Sequence, residues 1–224
     1  MLSFTRHAKD KSDRITVEPA ALIVAGWTGR DEAALRPHIE ELAAIGVTRP
    51  SSVPVFYRNA VSNIVQTERL EVLGPDTSGE VEPVIVALGD GLWVGLGSDH
   101  TDRKAETSGI ALSKQLCGKV LGSELWRFEE IADHWDDIVI RAFATIGGER
   151  VLYQEGALAA MRHPHDLIAR HGTALAPNTV MFCGTLGAKG GIRPAARFEM
   201  ELEDPILKRR MAHAYDIVDL PVIT

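Results

Sequence analysis

Apolar positions fall in short blocks over most of the chain, and two of these blocks face each other across a turn. Val84-Ile85-Val86-Ala87-Leu88 and Leu92-Trp93-Val94-Gly95-Leu96 are joined at Asp90-Gly91. β-Branched and apolar runs around an Asp-Gly step predict a β-hairpin with a two-residue loop. Strand patterning recurs in Ala21 to Ala25, Ile138 to Ile146, Thr179 to Cys183, Arg197 to Leu202 and Met211 to Val218. Helical spacing is confined to Asp31 to Ile45, through Ala34, Leu35, Ile39, Leu42 and Ala43, and to stretches around Ala105 to Leu116, Phe128 to Trp135 and Ala157 to Arg170. The expected class is α+β with the sheet dominant. A change of character near Pro50-Ser51-Ser52-Val53-Pro54 suggests a small N-terminal α/β segment, residues 1–53, followed by a main domain, residues 54–224.

The ends of the predicted hairpin carry the chemistry. Glu80 and Glu82 precede its first strand, and Asp99 follows its second. With Asp90 and Gly91 as the loop, Gly89 pairs with Leu92 and Glu82 falls opposite Asp99, with Cβ atoms about 5 Å apart. Glu80 projects from the same face as Glu82, about 7 Å along the strand, because side chains alternate with a period of two. Three carboxylates this close repel one another unless something positive sits between them. Oxygen ligands alone favour Mg²⁺, Mn²⁺ or Ca²⁺ over zinc. Gly95 and Gly97 lie on the same face and are expected to leave bare backbone where a substrate approaches the ion. A slip of the register by one residue turns Asp99 to the other face.

Composition narrows the alternatives. The chain has 224 residues, 45% of them hydrophobic, and a net charge of −7 without a Lys/Arg cluster. That balance argues against a nucleic-acid surface or an anionic membrane as partner. No apolar run reaches the roughly 20 residues of a membrane-spanning helix, and Met1 to Arg14 is too polar for a signal peptide, so a cytoplasmic location is expected. Cys117 and Cys183 fit no metal or redox spacing and read as buried free thiols. Glu199, Glu201 and Glu203 alternate with Phe198, Met200 and Leu202, which reads as a solvated strand face.

The order of motifs resembles the fumarylacetoacetate hydrolase superfamily. Its Glu-x-Glu strand corresponds to Glu80-Val81-Glu82, and its Asn-Asp-x-Thr-x-Arg segment is similar to Ser98-Asp99-His100-Thr101-Asp102-Arg103. Ile138 to Arg150 looks like the family strand ending in Asn-Gly-Glu, and Leu175 to Thr185 is similar to the family's Leu-x-Pro-Gly-Asp-x-Ile-x-Thr-Gly-Thr-Pro. The likeness runs from about Pro54 to the C-terminus, closest to a bacterial branch of unknown function. It implies a mixed β-roll or sandwich with a few flanking helices, holding Mg²⁺ or Mn²⁺ on Glu80, Glu82 and Asp99. It also implies a small 2-oxo or 1,3-dicarbonyl acid as substrate, and a homodimer. The chain departs from the family in having a short hairpin where a helical insertion usually stands between the Glu pair and the Asp, and Leu186 where a proline follows Gly-Thr.

Lys114 resembles the family lysine that reaches the substrate's carboxylate or oxo group. Arg103 has two roles open to it: binding that carboxylate, or pairing with Asp99 or Asp102 to hold the loop. Thr185, at the start of the glycine-rich stretch Gly184 to Gly191, is a candidate substrate contact at the rim of the pocket. His38 and Glu41 lie three residues apart on one helix face. In family members that cleave carbon-carbon bonds, a His and a Glu in an N-terminal lid activate the attacking water, and a histidine oriented by a carboxylate suits a general base near neutral pH. Carbon-carbon hydrolysis is therefore the first expectation. A hydratase, decarboxylase or isomerase on the same substrates is the second, and a protein that binds metal or carboxylate without turnover the third.

Overall fold

Two sheets pack face to face, and the difference in their burial explains the two kinds of apolar pattern in the sequence. The structure, a computed structural model, describes residues 1–9, 11–33, 40 and 49–223. Among these, the larger sheet has ten strands, eight of them in the order Lys11–Val17, Leu2–Ala8, Glu124–Arg127, Gly91–Ser98, Val81–Leu88, Thr179–Phe182, Ala21–Gly26, Val55–Asn59. The smaller sheet runs Glu149–Ala157, Val139–Ile146, Arg197–Asp204, Arg209–Leu220, Arg69–Leu73. Parallel and antiparallel pairings mix in both sheets.

The larger sheet is covered on both faces. One face contributes Val81, Ile85, Val94 and Trp126 to a core shared with Ile140, Phe198, Met200 and Tyr215 of the smaller sheet. The other contributes Val84, Val86, Trp93 and Phe182 to a second cluster with Leu2, Phe4, Leu22 and Val24. A strand buried on both sides reads as a continuous apolar run, as Val84 to Leu88 does. The smaller sheet buries one face only: Phe198, Met200 and Leu202 point inward, and Glu199, Glu201 and Glu203 stay partly exposed.

The expected strands form with small changes in extent: Ala21–Gly26, Val139–Ile146, Thr179–Phe182, Arg197–Asp204 and Arg209–Leu220. The polar N-terminus, not read as structured from its sequence, is a hairpin of Leu2–Ala8 and Lys11–Val17. Strands from both sides of residue 53 share one sheet, with Ala21–Gly26 lying between Thr179–Phe182 and Val55–Asn59. The helix expected over Asp31 to Ile45 falls largely outside the described residues. The stretch from Ala105 to Leu116 divides into two helices, Arg103–Glu106 and Ile110–Leu116. Among the described residues no helix is long and apolar enough to cross a membrane.

The central hairpin forms with a register different from the expected one. Leu88 pairs with Gly91, so the loop is Gly89-Asp90 and not Asp90-Gly91. Gly91 takes φ +128° at the first position of its strand, a conformation that glycine alone adopts easily. Asp90 is held in the loop by Trp93 Nε1 at 3.0 Å and Arg6 Nη1 at 2.7 Å. Glu82 therefore faces Gly97, and Asp99 faces Glu80. The pairing has slipped by two residues, which preserves the face of every side chain.

Candidate metal centre

Glu80, Glu82 and Asp99 are brought together with one carboxylate oxygen of each within 4.8 Å of the others. Glu80 and Glu82 straddle the start of Val81–Leu88, and Asp99 immediately follows Gly91–Ser98. Their backbones are pinned: the Asp99 amide donates to Glu80 O at 3.0 Å, and the Glu80 amide donates to Ser98 Oγ at 3.2 Å. Glu82 and Asp99 are buried, and Glu80 is partly exposed.

Each carboxylate has its own partners. Arg103 Nη2 donates to Glu80 Oε1 at 2.8 Å, while its Nε bonds Ser78 Oγ at 2.8 Å and its Nη1 reaches Glu106. Its guanidinium is thus committed to Glu80 and Glu106 and not to Asp99 or Asp102. Asp102 instead caps the following helix by accepting from the Ala105 amide at 2.8 Å. The Gly184 amide donates to Glu82 Oε2 at 2.7 Å. Gly184 has φ +100°, and a Cβ there would lie 1.7 Å from Thr28 Oγ1, so glycine is required for this approach.

Asp99 lies between two lysines. Lys114 Nζ bonds its Oδ2 and lies 3.5 Å from Glu80 Oε2, and Lys119 Nζ lies 2.7 Å from its Oδ1. Lys119, buried on strand Lys119–Leu121, also donates to His100 O. It was not singled out in the sequence; the available signal was a lone cation inside the apolar run around Val120 and Leu121.

The environment sets the charges. Burial pushes the Glu82 carboxyl well above the usual carboxylate range, and the negative charge of Asp99 pushes it further. Burial acts in the same sense on Asp99, but Lys114 and Lys119 outweigh it and hold that carboxyl below its ordinary value. Glu80 is likewise lowered against burial by Arg103 and then Lys114. Burial opposes the charge on Lys114, yet Asp99 and the two glutamates raise it above the usual lysine range.

Behind these groups lies a buried polar relay. Tyr215 Oη donates to Ser98 Oγ at 2.9 Å, which leaves His100 Nδ1 as the donor to Tyr215 at 2.9 Å. His100 Nε2, 2.9 Å from Thr77 Oγ1, is then the acceptor. Burial lowers the His100 pKa to about 3, consistent with this neutral tautomer.

The residues present fit a hard divalent cation. The donor set is all oxygen, and Asp99 Oδ1 is a buried acceptor without a hydrogen bond, since the nearby Lys119 ammonium is not aligned with it.

The expectation for Gly95 and Gly97 needs correction. Gly97 does not open a path for substrate, because Phe182 and Val120 O fill the space a Cβ would take, and Gly95 is closed by Leu125. Thr185 stands next to Gly184, but its hydroxyl donates to Val81 O at 2.8 Å and accepts from Gln154 Nε2 at 2.8 Å. Lys114, expected to reach the substrate's carboxylate or oxo group, is ion-paired with Glu80 and Asp99. His38 and Glu41 lie outside the described residues. A cavity of about 290 Å³ opens nearby, lined by Arg49, Tyr57, Glu106, Ile110 and Ala111 among others.

The chain belongs to the family described as protein of unknown function (DUF2848), whose model matches residues 25–215. Solved structures place its fold with the fumarylacetoacetate hydrolase family. A protein from Oleispira antarctica, provisionally assigned as a fumarylacetoacetate isomerase/hydrolase, superposes with a TM-score of 0.66 at 18% identity, over 94% of this chain and 98% of that one. Yeast ynq8, a fumarylacetoacetate hydrolase family protein, gives 0.62 at 18% identity over 92% and 95%. A 2-keto-3-deoxy-D-arabinonate dehydratase complexed with magnesium and 2,5-dioxopentanoate gives 0.64 at 13% identity over 95% and 85%. None of the curated proteins matches the chain in sequence.

Proposed function

We propose that this protein is a divalent-metal-dependent enzyme acting on a small 2-oxo or 1,3-dicarbonyl carboxylic acid, with Glu80, Glu82 and Asp99 holding Mg²⁺ or Mn²⁺. The observation that carries this reading is the convergence of three carboxylates from adjoining strand ends within 4.8 Å, on a fold that in the dehydratase accompanies magnesium and a dioxo acid. A hard cation held there supplies Lewis acidity toward the oxygens of an oxo acid. Arg103 keeps Glu80 in orientation, and the Gly184 amide does the same for Glu82. The Lys114 ammonium supplies positive charge to offset the negative charge that an enolate develops.

The reaction we favour is hydrolytic carbon-carbon cleavage, with His38 as the base that activates water and Glu41 orienting it. Dehydration or a related enolate reaction without that pair is the second reading, favoured by the likeness to the dehydratase. The test is to incubate the protein and Mg²⁺ with acylpyruvates, oxaloacetate and 2-keto-3-deoxy sugar acids, following loss of enol absorbance and product formation. His38→Ala should abolish hydrolysis and spare a dehydratase. No turnover on any of these, with cation binding intact, would replace the enzyme reading with a binding protein.

A further inference from the structure

Both oxygens of Asp99 face a lysine. Oδ2 is bonded by Lys114, and Oδ1 lies 2.7 Å from Lys119 Nζ. Counting the ion-paired groups, Glu80, Asp99 and Glu106 bring three negative charges, and Arg103, Lys114 and Lys119 bring three positive ones. The cluster is already neutral, so a divalent ion entering it meets a resident cation at the same oxygens. A buried ammonium beside a divalent ion is costly, because like charges at this distance are poorly screened away from water.

The two lysines are not equally able to give way. Lys119 is fully buried on a strand paired on both sides, to Ile64–Val65 and to Gly91–Ser98, and its Nζ is also tied to His100 O. Lys114 sits on the short helix Ile110–Leu116, is ion-paired among the described residues with Asp99 and Glu80 alone, and keeps a small exposed fraction. Ile110 and Ala111, one turn earlier on the same helix face, line the 290 Å³ cavity together with Tyr57. Space for a four-carbon side chain therefore lies next to the helix that carries it.

We infer that Lys114 is a displaceable internal cation: its ammonium holds the place of the divalent ion at Asp99 and withdraws toward the Tyr57 cavity when the ion binds. This rests on the metal reading of the site proposed above. The exchange couples cation binding to the appearance of a positive charge in the cavity, where it would meet an anionic group of the substrate. It also keeps the ion-free protein folded, by neutralising a trio of acids that would otherwise repel.

The experiment is Mn²⁺ titration calorimetry on the full chain as wild type, Lys114→Met and Glu82→Gln, with melting temperatures measured in both ion states. Lys114→Met should bind Mn²⁺ roughly tenfold tighter or more, since no resident charge has to leave. It should also melt lower than wild type without the ion and recover with it. Unchanged or weaker affinity in folded Lys114→Met, with wild-type binding lost in Glu82→Gln, overturns the displacement and leaves the metal reading standing. Absence of binding in both wild type and Lys114→Met overturns both. Should the variant not fold, reductive methylation of the wild type decides: Lys114 should be labelled faster with Mn²⁺ present while Lys119 stays protected, and equal Lys114 labelling in the two states overturns the inference.

Discussion

Asp99 stands directly opposite Glu80, its amide bonded to the Glu80 carbonyl at 3.0 Å, so the two acids form one cross-strand pair and Glu82 stands next along the same face. A pair of this kind is repulsive unless cations intervene.

Glu82 is held by the Gly184 amide and has no lysine or arginine in ion-pair contact among the described residues, so it is the carboxylate with most to gain from an added ion. Titration calorimetry should detect Mg²⁺ or Mn²⁺ uptake by the wild type. Glu82→Gln should weaken it by more than the roughly 10–100-fold cost of removing a residue that only supports a ligand. Undiminished uptake in the variant would remove Glu82 from the ligand set.

Arg103 matters through its shape. Its three nitrogens reach Glu80, Ser78 and Glu106 at once, a fork that lysine cannot reproduce at equal charge. Arg103→Lys should fold normally and lower Mn²⁺ affinity roughly tenfold. A variant with wild-type affinity would show that charge alone suffices there.

Gly184→Ala combines a forbidden φ with a clash against Thr28 Oγ1 at 1.7 Å. We expect a loss of about 3 kcal/mol or more in urea unfolding. Thr28→Gly should recover only the part of this that is steric. Full recovery in the double variant would mean that the backbone conformation costs nothing.

Tyr215→Phe removes the centre of the relay from His100 to Ser98, stranding the His100 Nδ1–H in a buried site. The expected cost is about 1–3 kcal/mol in denaturant unfolding. Because Ser98 Oγ also accepts the Glu80 amide, cation affinity should fall with it. Unchanged stability would indicate that another group takes over the histidine.

Much of the architecture was legible because burial on one or both faces leaves a direct trace in the side-chain pattern. The double-sided cover of the strand Val81–Leu88 appears as an unbroken apolar run from Val84 to Leu88, and the single-sided cover of Arg197–Asp204 as strict alternation from Arg197 to Leu202. The acid trio was legible for the same reason, since parity along a strand survives a shift of two residues. The register itself was not, because Gly91 joins its strand at φ +128° and Gly89 takes the loop place beside Asp90, a choice that the Asp-Gly turn preference does not make. Lys119 and the His100 relay were missed on similar grounds. Each is a polar residue in or beside an apolar strand, and its partners lie 19 to 115 residues away in sequence.

Glu82 lies on a strand bonded to neighbours on both sides, and Asp99 follows directly from the next strand, whereas the described walls of the nearby cavity come from the edge strand Val55–Asn59 with the residues just before it and from the short helices Arg103–Glu106 and Ile110–Leu116 with the turn between them. On the proposed reading, anchorage and selection thus fall to different parts of the polypeptide. Changes along that edge strand and those helices would then retune what the opening admits, while the inner strands preserve the electrostatic seat beneath it.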